Sequence, residues 1–130
     1  MSAVDRRLAE ARQRLDRVDA AQAKVIHENG GLLVDIRPAA QRAEYGEIPG
    51  AVIIERNNLE WRLDPDGSHR LPGTEDPARP VIVFCQEGYA SSFAAVSLLD
   101  IGRTNVTDLD GGYLAWMEAG HNTVLPSRIR

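Results

Sequence analysis

The chain has 130 residues, 43% of them hydrophobic and 26% charged, which is the composition of one ordinary globular domain with a core of its own. A formal net charge of -4 gives no support to nucleic-acid binding, and no apolar run approaches the roughly 18 residues of a membrane-spanning helix. The single cysteine excludes an internal disulfide and a CxxC zinc pair, and His27, His69 and His121 have no ligand-like spacing, so no metal or cofactor is expected.

The N-terminus lacks the apolar core of a signal peptide, so the expectation is a soluble protein of a reducing compartment, the cytoplasm, where a free thiol persists. Leu8, Ala11, Leu15 and Val18 recur at helical spacing and predict an amphipathic N-terminal helix over residues 1–18, packed on the rest of the chain. Its arginines (Arg6, Arg7, Arg12, Arg14, Arg17) are interleaved with Asp5, Glu10 and Asp16, the pattern of a solvated face. Asp19-Ala20-Ala21-Gln22 is a capping box that opens a second helix, which runs to about Asn29 and is ended by Gly30-Gly31.

Leu32 to Ile36 is a buried strand, and Pro38 suits the start of a short helix over Ala39 to Tyr45. A turn at Gly46-Glu47-Ile48-Pro49-Gly50 leads to a second apolar strand, Ala51 to Ile54. Residues 57–80 are punctuated by proline and glycine and hold one helical turn near Trp61. Val81 to Phe84 is a third strand that ends at Cys85. A helix with Ala94, Leu98 and Ile101 on its inner stripe stops at Gly102, a strand covers Asn105 to Leu109, and a last helix covers Gly111 to Ala119. The domain is expected over residues 19–122, with a tail at 123–130.

Short apolar strands alternating with helices predict an α/β fold with a parallel sheet covered on both faces. Ligands in such sheets bind beyond the carboxyl ends of the strands. Cys85 lies at one such end, and Asp35 and Arg37 lie near another. The loop Gln86-Glu87-Gly88-Tyr89-Ala90-Ser91 then opens a helix, so backbone N–H groups of the turn and of the helix start can face the sulfur and favour negative charge there. The thiolate is the nucleophilic form of cysteine, and this setting predicts covalent catalysis by Cys85.

Four segments, in order, resemble the signatures of the rhodanese family. They are Leu33-Val34-Asp35-Ile36-Arg37-Pro38, Gly46-Glu47-Ile48-Pro49-Gly50-Ala51, the loop Cys85 to Ser91, and Leu109-Asp110-Gly111-Gly112-Tyr113-Leu114-Ala115-Trp116. The resemblance spans about residues 19–120. It implies a three-layer domain around a mainly parallel, five-stranded sheet. It also implies a sulfurtransferase that moves a sulfane sulfur from thiosulfate or a persulfide to a thiol or cyanide. By position, Cys85 would carry the persulfide, the backbone from Gln86 to Ser91 would cradle it, and Asp35 and Arg37 would brace the site.

The loop departs from the pattern by lacking arginine or lysine: Gln86, Glu87 and Ala90 stand where basic residues are common. Glu87 beside a thiolate opposes anionic donors and suits a protein-borne or small-thiol persulfide; the alternative is a Glu87 that points into water and is screened there. Arg56 is a candidate source of compensating charge, whereas Arg62 reads as a surface pair. Tyr89 is assigned to packing, and Glu47, where the family usually has histidine, to a structural role. With one cysteine, any mixed disulfide must be cleared by an external thiol, such as a thioredoxin-type protein or a small thiol. Two other classes compete. A phosphatase or arsenate reductase would need an arginine at the loop's end, and a non-catalytic redox-sensing or partner-binding module would need no reactive thiol.

Overall fold

The computed structural model describes residues 1–126. Four parallel strands form its sheet: β1 (Leu32–Asp35), β2 (Val52–Ile53), β3 (Val81–Phe84) and β4 (Val106–Asp108), in the order β2-β1-β3-β4. Side chains alternate across it. Val34, Val81, Val83 and Cys85 enter one apolar cluster with Leu59, Leu63, Ala94 and Leu98; Leu33, Ile82 and Phe84 enter another with Ala23, Leu109, Tyr113 and Trp116. Six helices cover the two faces: α1 (Ala3–Gln13), α2 (Ala20–Glu28), α3 (Ala39–Tyr45), α4 (Leu59–Leu63), α5 (Ala90–Asp100) and α6 (Gly112–Glu118). Both faces of β1 and β3 are therefore buried, which is why these strands read as continuous apolar runs rather than alternating ones.

The resemblance implies five strands, and the sheet has four. The fifth place is held by a single parallel bridge, Val18 to Leu109, beside the end of β4. This also corrects the helix expected over 1–18. Asp19 caps α2 with extended backbone (φ -84°, ψ 177°), so a helix cannot run through to it; α1 stops at Gln13 and Val18 is free to join the sheet. The capping box forms as read: Asp19 accepts from the Gln22 N–H, and Gln22 accepts from the Asp19 N–H. In the segment expected as a tail, Val124 pairs antiparallel with Glu47; residues 127–130 lie outside the described residues. Glu47 itself is buried beside Arg42 at 3.5 Å. Among the described residues no helix is long and apolar enough to cross a membrane.

Candidate active site

The carboxyl ends of β1 and β3 are neighbours, with Asp35 in register with Phe84. One residue beyond β3, the Cys85 backbone is fixed by the Tyr113 N–H, which donates to the Cys85 carbonyl at 2.9 Å. The chain then folds back over the sulfur. The Gly88 N–H lies 3.2 Å and the Ser91 N–H 3.4 Å from Cys85 Sγ, and both donate to it. Gly88 has φ +91°, a conformation side-chain-bearing residues rarely adopt, and a Cβ there would sit 2.8 Å from the Gly111 nitrogen. The loop thus closes into a cup whose bottom is the start of α6 and whose donors converge on one sulfur, an arrangement that stabilises a sulfur anion.

Above the sulfur is a cavity of about 490 Å³ lined by Ile36, Arg37, Pro38, Gln41, Arg56, Cys85, Gln86, Glu87, Tyr89 and Ala90. Of the residues expected at the site, Arg37, Arg56, Cys85, Gln86, Glu87, Tyr89 and Ala90 line this cavity, while Gly88 and Ser91 reach the sulfur through their N–H groups and Asp35 joins only through Arg37. Asp35 and Arg37 are both 1% exposed. The Arg37 guanidinium donates to both Asp35 carboxylate oxygens, to the Gly46 carbonyl and to Gln86 Oε1 at 3.0 Å, and it lies 4.1 Å from the centroid of the Tyr113 ring. One side chain thus ties β1, the Gly46 turn, α6 and the loop together. Arg56 lines the cavity and pairs with Glu60, while Arg62 is turned to the His69 carbonyl, away from it.

Tyr89, assigned to packing, lines the cavity and is 59% exposed. One expectation is corrected. The arginines of the N-terminal segment, read as a solvated face, include two that reach the loop. Arg12 donates to the Gly88 carbonyl at 2.8 Å and to Ser92 Oγ at 3.2 Å, and its guanidinium lies 5.5 Å from the Tyr89 ring. Arg17 donates to the same carbonyl at 2.9 Å and pairs with the buried Asp108, which also accepts from the Ser91 and Ser92 hydroxyls at 2.8 Å each. Burial disfavours the Arg17 charge, yet the Asp108 hydrogen bond and the charges of Asp108, Asp110 and Cys85 outweigh it and raise its pKa above the ordinary value. Local spacing carries no trace of these contacts, since Arg17 and Asp108 are 91 residues apart.

The family model for the rhodanese-like domain matches residues 12–119. The chain belongs to the rhodanese-like family. It is 32% identical over 113 residues to the thiosulfate sulfurtransferase GlpE of Pseudomonas fluorescens, covering 87% of this chain and 90% of that one. It is 37% identical over 87 residues to the GlpE of Shewanella oneidensis, covering 67% and 76%. Among solved structures it resembles a protein of unknown function from Rhodopseudomonas palustris, described as a possible tyrosine phosphatase, with a TM-score of 0.83, 28% identity and 95% of each chain covered. The rhodanese-like match begins at residue 12, so Arg12 and Arg17 both fall inside it.

The second side of the site rests on Glu60. Burial raises the Glu60 pKa, but hydrogen bonds from Ser97, its own backbone and Arg56, with the Arg56 charge, lower it below the ordinary 4.5. A carboxylate with a lowered folded-state pKa contributes stability that is complete above its unfolded value and is lost as pH falls through the folded one. Urea midpoints followed from about pH 6 to about pH 3 are therefore expected to fall less steeply below 4.5 in Glu60→Gln than in the wild type.

Proposed function

We propose that the protein is a rhodanese-type sulfurtransferase in which Cys85 carries the transferred sulfur as a persulfide. The observation that supports this most directly is the pair of N–H donors, Gly88 and Ser91, aimed at one cysteine sulfur under an open cavity. In the first half-reaction the Cys85 thiolate attacks the sulfane sulfur of the donor. With thiosulfate the donor S–S bond breaks and sulfite leaves with the electron pair; with a persulfide the leaving group is a thiolate. The negative charge then sits on the outer sulfur of Cys85, within the same cup of donors. In the second half-reaction an acceptor attacks that sulfur, the Cys85 S–S bond breaks, and the thiolate returns. Cyanide leaves as thiocyanate, and a thiol leaves as its persulfide.

Nothing in this cycle requires a separate general base once Cys85 is a thiolate. The Glu87 carboxylate, which lines the cavity, favours a small-thiol or protein-borne persulfide over thiosulfate as the better donor. A thioredoxin-type protein or a small thiol is the natural acceptor class for a protein with one cysteine in the cytoplasm. Phosphoryl transfer needs a guanidinium at the end of the loop, where Ala90 and Ser91 stand, and Arg12 and Arg17 are committed to the loop's carbonyl rather than its cavity.

Intact mass after incubation with thiosulfate and, separately, with a thiol persulfide tests the reading. The expected result is one added sulfur atom, removable by cyanide, on the wild type and none on Cys85→Ser. Turnover by that variant is expected to fall by more than about 10³-fold. A folded wild type that takes sulfur from neither donor would overturn the proposal in favour of a binding or sensing module.

A further inference from the structure

The loop lacks its own cation, yet two guanidinium groups from outside it converge on one of its carbonyls. Gly88 is the pivot: its N–H donates to Cys85 Sγ and its carbonyl accepts from both Arg12 and Arg17. The second loop donor is held by the same pair. Ser91, whose N–H also faces the sulfur, gives its hydroxyl to Asp108, and Asp108 is paired with Arg17; Ser92, the other Asp108 partner, accepts from Arg12. The charges differ in balance. Arg17 pairs with Asp108 and Asp110, whereas Arg12 makes no ion pair among the described residues, so its guanidinium meets the loop without a carboxylate of its own.

We propose that Arg12 and Arg17 are positioning residues for the sulfur-carrying loop: together they fix the Gly88 and Ser91 N–H groups on Cys85, and they bring two guanidinium groups to a loop that has no basic residue of its own. The N-terminal segment is then part of the catalytic unit rather than an appendage. The proposal rests on the sulfurtransferase reading for its biological meaning, but not for its physical test. Arg17 is also coupled electrostatically to Cys85, as expected for a cation near a sulfur anion.

The test is the rate of Cys85 alkylation at about pH 7 by neutral iodoacetamide and by anionic iodoacetate, in wild type, Arg12→Gln, Arg12→Lys, Arg17→Gln and Arg17→Lys, with folding monitored by circular dichroism. Removing one nearby charge is expected to lower the iodoacetate-to-iodoacetamide rate ratio by roughly two- to tenfold in Arg12→Gln, with Arg12→Lys retaining most of it. Arg17→Gln is expected to lower the ratio likewise and, because it releases Asp108 and with it Ser91, to slow both reagents and to lower kcat rather than raise KM for the sulfur donor. Unchanged ratios and rates in folded Arg12→Gln and Arg17→Gln would overturn the proposal, whatever their melting temperatures. Should Arg17→Gln fail to fold, the Arg12 pair, on a partly exposed side chain, decides alone. A wild type that accepts no sulfur, together with the ratio shift in Arg12→Gln, would refute the sulfurtransferase reading while supporting this one.

Discussion

Arg37→Ala is expected to destabilise the protein by about 3–5 kcal/mol and to abolish a well-formed site, because it leaves the carboxylate of Asp35 buried without a counter-charge. Asp35 and Arg37 are each 1% exposed, and the guanidinium satisfies Asp35, the Gly46 carbonyl and Gln86 at once. Its loss leaves the Gly46 carbonyl and Gln86 without this donor, leaves Asp35 with only the residue-37 backbone N–H, and opens space against the Tyr113 ring, where the guanidinium lies 4.1 Å from the ring centroid. In a domain of this size the melting temperature is expected to drop by roughly 10–20 °C, measured by calorimetry. The double variant Asp35→Leu/Arg37→Met is expected to be less destabilised than Arg37→Ala, since it removes both charges and keeps most of the volume. Sulfur loading should nevertheless stay impaired in the double variant, because Gln86 has lost the donor that holds it. Equal destabilisation of single and double variants would show that packing, not the uncompensated charge, sets the cost.

Gly112→Ala has the second large effect expected. Gly112 has φ +61°, and a Cβ there would meet the Cys85 carbonyl oxygen at 2.5 Å, the Gln86 carbonyl carbon at 2.8 Å and the Gly88 nitrogen at 2.8 Å. All three are backbone atoms of the loop, so relief requires moving the loop and, with it, the Gly88 N–H that faces the sulfur. The expected cost is at least about 2 kcal/mol, from the left-handed conformation and the displaced backbone together. Turnover is expected to fall by at least about tenfold, since losing one oriented donor to the sulfur anion is worth more than about 1.4 kcal/mol. Gly120→Ala is the control: its φ is +80° but nothing lies within 4 Å of its added Cβ, so it carries the conformational cost without the collision. Thermal melts and persulfide loading of the two variants side by side measure the difference. A Gly112→Ala protein that loads sulfur as fast as Gly120→Ala would remove the close approach of α6 from the account of the site.

Much of this architecture is legible along the chain because it is local. The apolar runs at Leu32–Asp35 and Val81–Phe84 are strands in the structure, and the sulfur sits one residue beyond the second of them, at the end where parallel sheets present ligand sites. The capping box at Asp19 and Gln22 fixes where α2 starts, to the residue. Ala39–Tyr45 forms α3, with Pro38 capping rather than entering it. Less legible is Val18. Its spacing from Leu8, Ala11 and Leu15 matches a helix, and only the extended backbone that Asp19 needs as a cap turns it into a sheet bridge. A single bridge has too few residues for the alternation that would announce a strand, and the sheet has four strands where the resemblance implies five.

What the sequence by itself determines, then, is the alternating α/β plan, the family signatures and the placing of one thiol at a strand end beside Gly88, Ser91, Asp35 and Arg37. Each of these depends on the order of neighbours, on periodicity or on a turn residue, and such information survives in one dimension. The tertiary structure alone decides the electrical character of the loop. Glu87 and the missing basic residues make the segment look poor in positive charge, yet Arg12 and Arg17 meet the Gly88 carbonyl from 76 and 71 positions away, and Asp108 gathers Arg17, Ser91 and Ser92 around one buried carboxylate. Charge acts through space, and a distance of about 3 Å across the fold outweighs any separation along the chain.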